Sequence, residues 1–483
     1  METFNLTNGN PINELITNLS MVKSSTKSTE GPIEGSGDKP TQVAVTYDEL
    51  KQELLQKVDG NPIYYVNIKE NDELAMIYYD DIPKNNGNRE SFSKFIESSC
   101  KSHIIEKSTL KTLASQFNKI IYNKEATEYL KTKDWKQVVV QPCYEGTLLL
   151  VYNHRDTWYV STRRCINAKD SIWIKNTSYR DMFDEAMENK FKLEDLDKNN
   201  CYHFILVHHK NKNIVSYSNL GEEYTELYHI MTTAKYTMEE VDYVINNNIL
   251  RSKTLKFDSL KEVMQSLVEI SVNNKNNKNI TTEGYILKVY DGDVNKSTFK
   301  ILKIQTPIYQ ELMKIKPNNN NAYQNYLELY QKDKLINYLQ YYTKKYVDEI
   351  LNIIHHAMET ISKEILDLYH MTRKKRNPQI YNNLTYHYKK ILYELHGMYI
   401  EFHKNNFRDK NKKYKKNNNQ YENNAKSINV HDVYYHLKGL HSNELKQLFM
   451  ERNKLQNNTV MTFIDSDGND STDAAILSEL MNS

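Results

Sequence analysis

The chain has 483 residues, enough for several packed units, and its 64 Lys and Arg are nearly matched by 62 Asp and Glu. That balance excludes a basic field over the whole molecule, so any nucleic-acid affinity has to come from local patches. A hydrophobic share of 39% is below that of an average globular chain and requires polar segments between the packed ones. The 37 tyrosines, with many Asn, Lys and Ile, give the composition of an AT-rich genome, which inflates every tyrosine- or lysine-based motif match. Four cysteines, Cys100, Cys143, Cys165 and Cys201, form no CxxC pair and lack metal-ligand spacing. Reduced thiols in a cytoplasmic setting are expected. No run reaches the ~18 apolar residues of a membrane span, and the first residues lack a secretory pattern.

Residues 1–42, with "KSSTKSTEGPIEGSGDKP", offer little to bury and read as a flexible, disordered tail. In 43–134, "TYDELKQELLQKV" predicts a short helix, with Thr46 as N-cap and Glu49 completing a capping box. "PIYYVNIKE" and "LAMIYYDDI" predict strands. Residues 135–312 are strand-dominated, through "QVVVQP", "GTLLLVYN", "TWYVSTRR", "CYHFILVHH", "NIVSYSN", "EGYILKVY" and "TFKILKIQ". Helices are expected near 180–196 and 238–270, which makes this core α+β rather than a βαβ repeat. From 313 the period changes: Leu335, Leu339, Tyr342, Tyr346, Ile350, Ile354, Ile361 and Leu368 keep the three-to-four spacing of an amphipathic helix. A helical domain at 313–406, a basic Asn/Lys linker at 407–427, a helical segment at 428–460 and an acidic tail at 461–483 complete the chain.

The stretch "QPCYEGTLLLVYN" (141–153) joins a polar loop, Gly146 and the Thr147 hydroxyl to a buried strand, a turn suited to facing phosphate. Covalent nucleotidyl transfer needs a lysine amine to attack an α-phosphate and an acid and glycine to shape the turn. Further carboxylates and late-strand lysines complete such a site. "CKSHIIEKSTLKTLASQFNKIIYNKE", "CYEGT", "STRR", "YHFILV", "TEGYILK" and "LKIQT" follow one another in the order such a site requires. In that order and wording residues 92–312 resemble the phage-type ATP-dependent RNA ligases, within the covalent nucleotidyltransferase superfamily. The resemblance implies an α+β, ligase-like antiparallel sheet domain followed by an all-helical C-terminal domain.

Residue by residue, the resemblance places Lys101 and Lys119 at the upstream basic positions and Cys143 at the nucleophile. It places Glu145 and Gly146 in the turn that follows. Arg163 falls at the arginine of the next motif, Ile205 at a glutamate, Glu283 and Gly284 in the late acidic motif, and Lys303 and Gln305 at two final lysines. The implied nucleotide or RNA pocket is Lys119, Glu145, Gly146, Arg163, Glu283 and Lys303. Cys143 cannot form a lysyl–nucleotide bond, Ile205 removes a carboxylate and Gln305 removes a charge. Three departures at three steps point to a catalytically impaired RNA-ligase-like adaptor that binds RNA or RNA ends, expected in a large DNA virus and hence in the host cytoplasm. ATP and Mg²⁺ would be its cofactors only if the pocket were active.

Two alternatives stand beside it. One is an active ligase with a relocated amine, for which Lys133 and Lys136 lie near in sequence, although a solvated strand edge is the plainer reading of both. The other is a protein scaffold, such as one of translation initiation, with Tyr330, Leu335 and Ile336 in "YQKDKLI" gripping a cap-binding partner. The plainer reading puts Leu335 and Ile336 in a helix core. Basic runs supply RNA-contact candidates: Arg373, Lys374, Lys375, Arg376, Lys412 and Lys413. The His pairs at 208–209 and 355–356 lack partners at ligand spacing, so no metal site is expected.

Overall fold

Thr46 does cap a helix: its side chain accepts from the Glu49 N–H while Glu49 reaches back to the Thr46 N–H, closing the capping box. The computed structural model describes residues 11–27, 44–79, 91–117, 119–174, 177–211, 213–221, 223–246, 248–294, 299–317, 321–374, 377–413 and 427–456. The chain divides into two units, Met1–Asn274 with Ile280–Gln310, and Lys275–Asn279 with Glu311–Ser483. Of the basic linker expected at 407–427, residues 407–413 are corrected to helix, continuing the one that begins at Tyr386, while 414–426 and the acidic tail lie outside the described residues.

The first unit opens with α1 (Pro11–Lys27), α2 (Tyr47–Leu54) and a small hairpin, β1 (Lys57–Val58) and β2 (Asn61–Pro62). β3 (Val66–Glu70), β4 (Leu74–Tyr79), β5 (His103–Glu106) and β6 (Thr112–Ser115) form an antiparallel sheet in that order, with α3 (Ser91–Ser99) between β4 and β5. The expected tail of 1–42 is corrected over 11–27. Ile12 and Leu15 are buried with Leu50, Leu54, Ile96 and Ile105, and that apolar stripe holds the helix to the sheet.

Next come β7 (Ile121–Tyr122), α4 (Asn123–Leu130), β8 (Val138–Cys143), β9 (Thr147–His154) and β10 (Thr157–Ser161). A short hairpin of β11 (Ile172–Ile174) and β12 (Thr177–Ser178) leads to α5 (Tyr179–Met187), β13 (Asn200–His208), β14 (Thr225–Ala234) and β15 (Leu250–Arg251). α6 (Leu260–Asn277), β16 (Gly284–Tyr290) and β17 (Phe299–Gln305) follow. Two sheets result, β10-β9-β13-β14-β15 and β7-β17-β16-β8; all their pairings are antiparallel except β14–β15 and β17–β7. α5 lays Met182, Phe183 and Ala186 on Leu149, Phe204 and Leu227 of the five-stranded sheet. Burial of a side chain like Phe183 contributes roughly 1.5–3 kcal/mol.

Three further expectations change. "NIVSYSN" (213–219) is not a strand, because its donors go to the turn after β8: the Val215 N–H and the Tyr217 hydroxyl both bond Glu145. The stretch 238–259 is not helical, and α6 starts only at Leu260. β14, nine residues of which pair with β13, is absent from the expected strands because buried His229, Thr232 and Thr233 hide its apolar alternation.

In the second unit every described element is helical: the end of α7 (Pro307–Ile315), then α8 (Ala322–Gln331), α9 (Leu335–Leu339), α10 (Lys344–Tyr369), α11 (Pro378–Asn383), α12 (Tyr386–Lys413), α13 (Val430–Lys438) and α14 (Ser442–Gln456). A π turn at His370–Lys374 ends α10. The apolar period from 335 onward is broken at 340–343, so two helices take the place of one. Arg452, fully buried, donates from Nε to Glu364 at 2.9 Å and also bonds it through Nη2.

Candidate functional site

β8 ends at Cys143, and the next residues turn the chain into β9. At Gly146 a Cβ would meet the Leu206 carbonyl oxygen at 2.5 Å and Ile205 Cγ2 at 2.6 Å, so the turn lies against β13 only with glycine there. Glu145 pins the turn. Its carboxylate accepts from the Val215 N–H at 2.6 Å and the Tyr309 hydroxyl at 2.9 Å, and its carbonyl accepts from Tyr217 and Asn213. Cys143 pairs with Gly284 in the β8–β16 ladder. Gly284 has φ +153°, and a Cβ there would fall 2.2 Å from the Ile304 carbonyl oxygen. That close approach sets Glu283 beside Cys143.

These elements enclose a pocket of about 350 Å³, within the usual size of small-molecule sites. It brings together Cys143, Glu145, Gly146, Ile205, Glu283 and Lys303 from segments up to 160 residues apart. Lys101 lines it as well. Lys119 does not: it is exposed, its N–H bonded to the Ser98 carbonyl. Arg163 stands beside Lys101, stacked 4.1 Å from the Tyr79 ring centre, and its buried Nε and Nη2 have no hydrogen-bond partner among the described residues.

Glu283 is the hub of one corner. It accepts from Lys303 Nζ at 3.0 Å, Gln305 Nε2 at 2.8 Å and the Cys143 thiol at 3.3 Å. Burial pushes the Cys143 thiol well up, and Glu283 adds to this while Lys303 opposes it. The sulfur is therefore a neutral donor. Burial works against the charge of Lys303, yet its pKa is held above the ordinary value. Because Cys143 stays neutral, the Glu283 carboxylate is the charge that holds it. Gln305, where a second lysine is expected, acts by shape: Asn123 Nδ2 donates to its amide oxygen at 2.8 Å, and its amide nitrogen fixes Glu283.

Lys101 defines the opposite corner. Its ammonium lies 4.5 Å from the Phe117 ring centre and has no carboxylate partner among the described residues. Burial, reinforced by Lys303 and Arg163, pulls its pKa down to about 7. The sequence signal that separates Lys101 from Lys119 is slight: Lys101 stands two residues before the buried "HII" strand, and Lys119 sits in a loop. Lys133 and Lys136 do not line the pocket; Lys133 lies over Tyr129 and Lys136 is exposed.

The remaining candidates stand elsewhere. Leu335 is 2% exposed, in the helical core, which withdraws it as a docking anchor, whereas Ile336 is 66% exposed. The Tyr330 hydroxyl bonds Tyr434, and Lys438 lies over its ring at 5.0 Å. Arg373 is half-buried, 5.6 Å from the Tyr381 ring centre. The side chains of Lys374, Lys412 and Lys413, and all of Lys375 and Arg376, lie outside the described residues. Glu185, His208 and His209 gather closely enough to hold a cation. In His208, however, Nδ1 accepts from the Lys210 N–H at 3.2 Å, which leaves the proton on Nε2 to bond Glu185 at 3.1 Å. Both ring nitrogens are thereby satisfied by the protein alone. Among the described residues no helix is long and apolar enough to cross a membrane.

No protein-family model matches the sequence, and no curated protein matches it. Solved structures similar to the chain include a protein of Aquifex aeolicus assigned as an ATP-dependent DNA ligase, with 15% identity and a TM-score of 0.35 over 62% of this chain and 78% of that one. An archaeal ATP-dependent RNA ligase is similar in two forms. The first has 10% identity and a TM-score of 0.36 over 64% of this chain and 78% of that one. The second has 11% identity and a TM-score of 0.33 over 54% and 69%.

Proposed function

We propose that the first unit binds a phosphate-bearing ligand, either a nucleoside triphosphate such as ATP or the phosphorylated end of an RNA, and that position 143 takes no part in covalent transfer. One observation carries this: Cys143 lines the pocket as a buried, neutral thiol donating to Glu283, where an attacking group would stand. A nucleophilic thiol has to ionise, and both burial and the adjacent carboxylate oppose it.

The surrounding charge favours an anion. Glu283 is taken by Lys303 and Glu240 by Lys288, while Lys101 and Arg163 meet no carboxylate among the described residues. Leu148, Ile205, Ile286 and Ile301 give the pocket an apolar side on which a base can lie. A protein-held Mg²⁺ does not fit the same residues. The carboxylates of Glu145 and Glu283 are engaged within the fold, and Ile205 supplies none. Working as an RNA-end adaptor, the chain would hold an end without joining it, and the motif order of residues 92–312 supports RNA as the partner.

Titration with ATP and with a 5′-phosphorylated RNA oligonucleotide tests the reading. Micromolar binding that weakens at least 10-fold in Lys303→Ala supports it, and absence of binding to either ligand removes it.

A further inference from the structure

α12 is apolar on two sides. Tyr388, Ile391, Leu392 and Leu395 are buried, and the helix packs on α10 and α14. On the opposite side Tyr386 is 73% exposed, Tyr393 71% and Ile400 41%. At about 100° per residue these three fall along one line with Gly397 and Lys404. A helix that serves only its own core keeps such a line polar.

Gly397 is a second and separate observation. Outside its own turn of helix, no atom of the described residues comes within 4 Å of where its Cβ would stand. Glycine inside a helix costs stability relative to alanine, and no described neighbour requires it here. A missing side chain between exposed apolar ones suits a second helix that approaches closely.

We propose that this face of α12 is an interface between two copies of the chain, with the two helices antiparallel about a two-fold axis that crosses between Leu395 and His396. Under that symmetry Tyr393 comes level with the gap between Gly397 and Ile400 of the other copy, so its ring fills the space the glycine leaves. Tyr386 comes beside Lys404 of the other copy, a cation against a ring. On one flank Lys390 stands opposite Glu401, and the axis repeats the pair. Lys390 also reaches Glu444 of its own chain, so the cation would lie between two carboxylates.

Self-complementarity of this kind is the condition a two-fold interface has to meet. A parallel pair would set like against like, Lys404 against Lys404. A nucleic acid laid on the same face would meet the exposed Glu401 at its edge, which opposes a phosphate backbone. No residue of this face lines the pocket, so the inference stands apart from the reading of that site.

Sedimentation equilibrium of the whole chain from about 1 to 200 µM tests the inference. One helix pair covers a modest area, so a dimer of micromolar dissociation constant is expected, its mass rising from 57.1 kDa toward twice that value. Gly397→Leu fills the gap with a good helix former at an open position, so the chain should fold and the dimer weaken roughly 10-fold or more. Tyr393→Ala should do the same. Glu401→Lys should weaken the dimer about 3-fold or more, and less so at high salt. Far-ultraviolet circular dichroism checks that each variant keeps the helix content of the wild type. A wild type that stays at 57.1 kDa throughout overturns the inference, whether its own C-terminal residues or an RNA covers the face. So does a dimer that Gly397→Leu and Tyr393→Ala leave intact. A dimer sensitive to both but indifferent to Glu401→Lys overturns the antiparallel arrangement.

Discussion

The helical unit and the pocket of the sheet unit both bury cations, and they treat them in opposite ways. Arg452 sits fully inside the helical core against Glu364, bonded through both Nε and Nη2. Lys101 and Arg163 lie in and beside the pocket with aromatic rings for company and no acid among the described residues. A buried cation matched by a carboxylate is structural, since removing either partner strands the other. One left unmatched is tolerated where something else will bring the negative charge.

The largest effect should fall on the matched pair. Arg452→Ala leaves Glu364 buried alone and should cost about 3–5 kcal/mol, read by chemical denaturation followed by far-ultraviolet circular dichroism. Loss of less than about 1 kcal/mol would erase the contrast between the regions. Next in size is Gly284→Ala. Its Cβ would have to displace the Ile304 carbonyl, 2.2 Å away, beside the hub of the pocket. Destabilisation of roughly 2–4 kcal/mol with loss of ligand binding is expected.

Acidification gives a third, graded effect on the sheet unit. Burial pulls His103 down to about 4, His203 to about 3 and His229 to about 4, with nearby cations adding to the last and His229 and Lys288 adding to His203. Between those values and the ordinary 6.5 the unfolded chain binds more protons, so stability falls as pH drops through that window. The slope is on the order of 1 kcal/mol per pH unit for each histidine. The three tryptophans, Trp135, Trp158 and Trp173, all belong to the sheet unit. Tryptophan fluorescence in urea at pH 7 and pH 5 therefore reads this unit alone, and equal midpoints would contradict the assignment. Smallest of all is Cys143→Ala. Glu283 keeps Lys303 and Gln305, so stability should change by about 1 kcal/mol or less.

How much of this was legible in the sequence depended on how local the physics was. The Thr46–Glu49 capping box is written within four residues and stands in the structure as read. "CYEGT", "TEGYILK" and "LKIQT" meet at one pocket because β16 pairs with both β8 and β17, and Ile205 of "YHFILV" reaches it from β13, whereas "STRR" does not line it. β14 escaped because polar residues within it are buried, where the tertiary fold partners them: Thr233 bonds His203 of β13 at 3.3 Å. α1 escaped because a polar run beyond it masked four turns of apolar spacing. Lys101 and Lys119 are alike as letters and part only in the fold, where the bend before β5 leaves Lys101 lining the pocket and Lys119 stays exposed. Gln305 reads as a lost charge, yet its amide carries two hydrogen bonds that a lysine could not make together.

The most direct measurement is the affinity of the whole chain for ATP and for a 5′-phosphorylated RNA, compared between wild type, Cys143→Ala and Lys303→Ala. The account predicts micromolar binding of at least one ligand, unchanged in Cys143→Ala and at least 10-fold weaker in Lys303→Ala. No binding by the wild type, or binding abolished by Cys143→Ala, would contradict it.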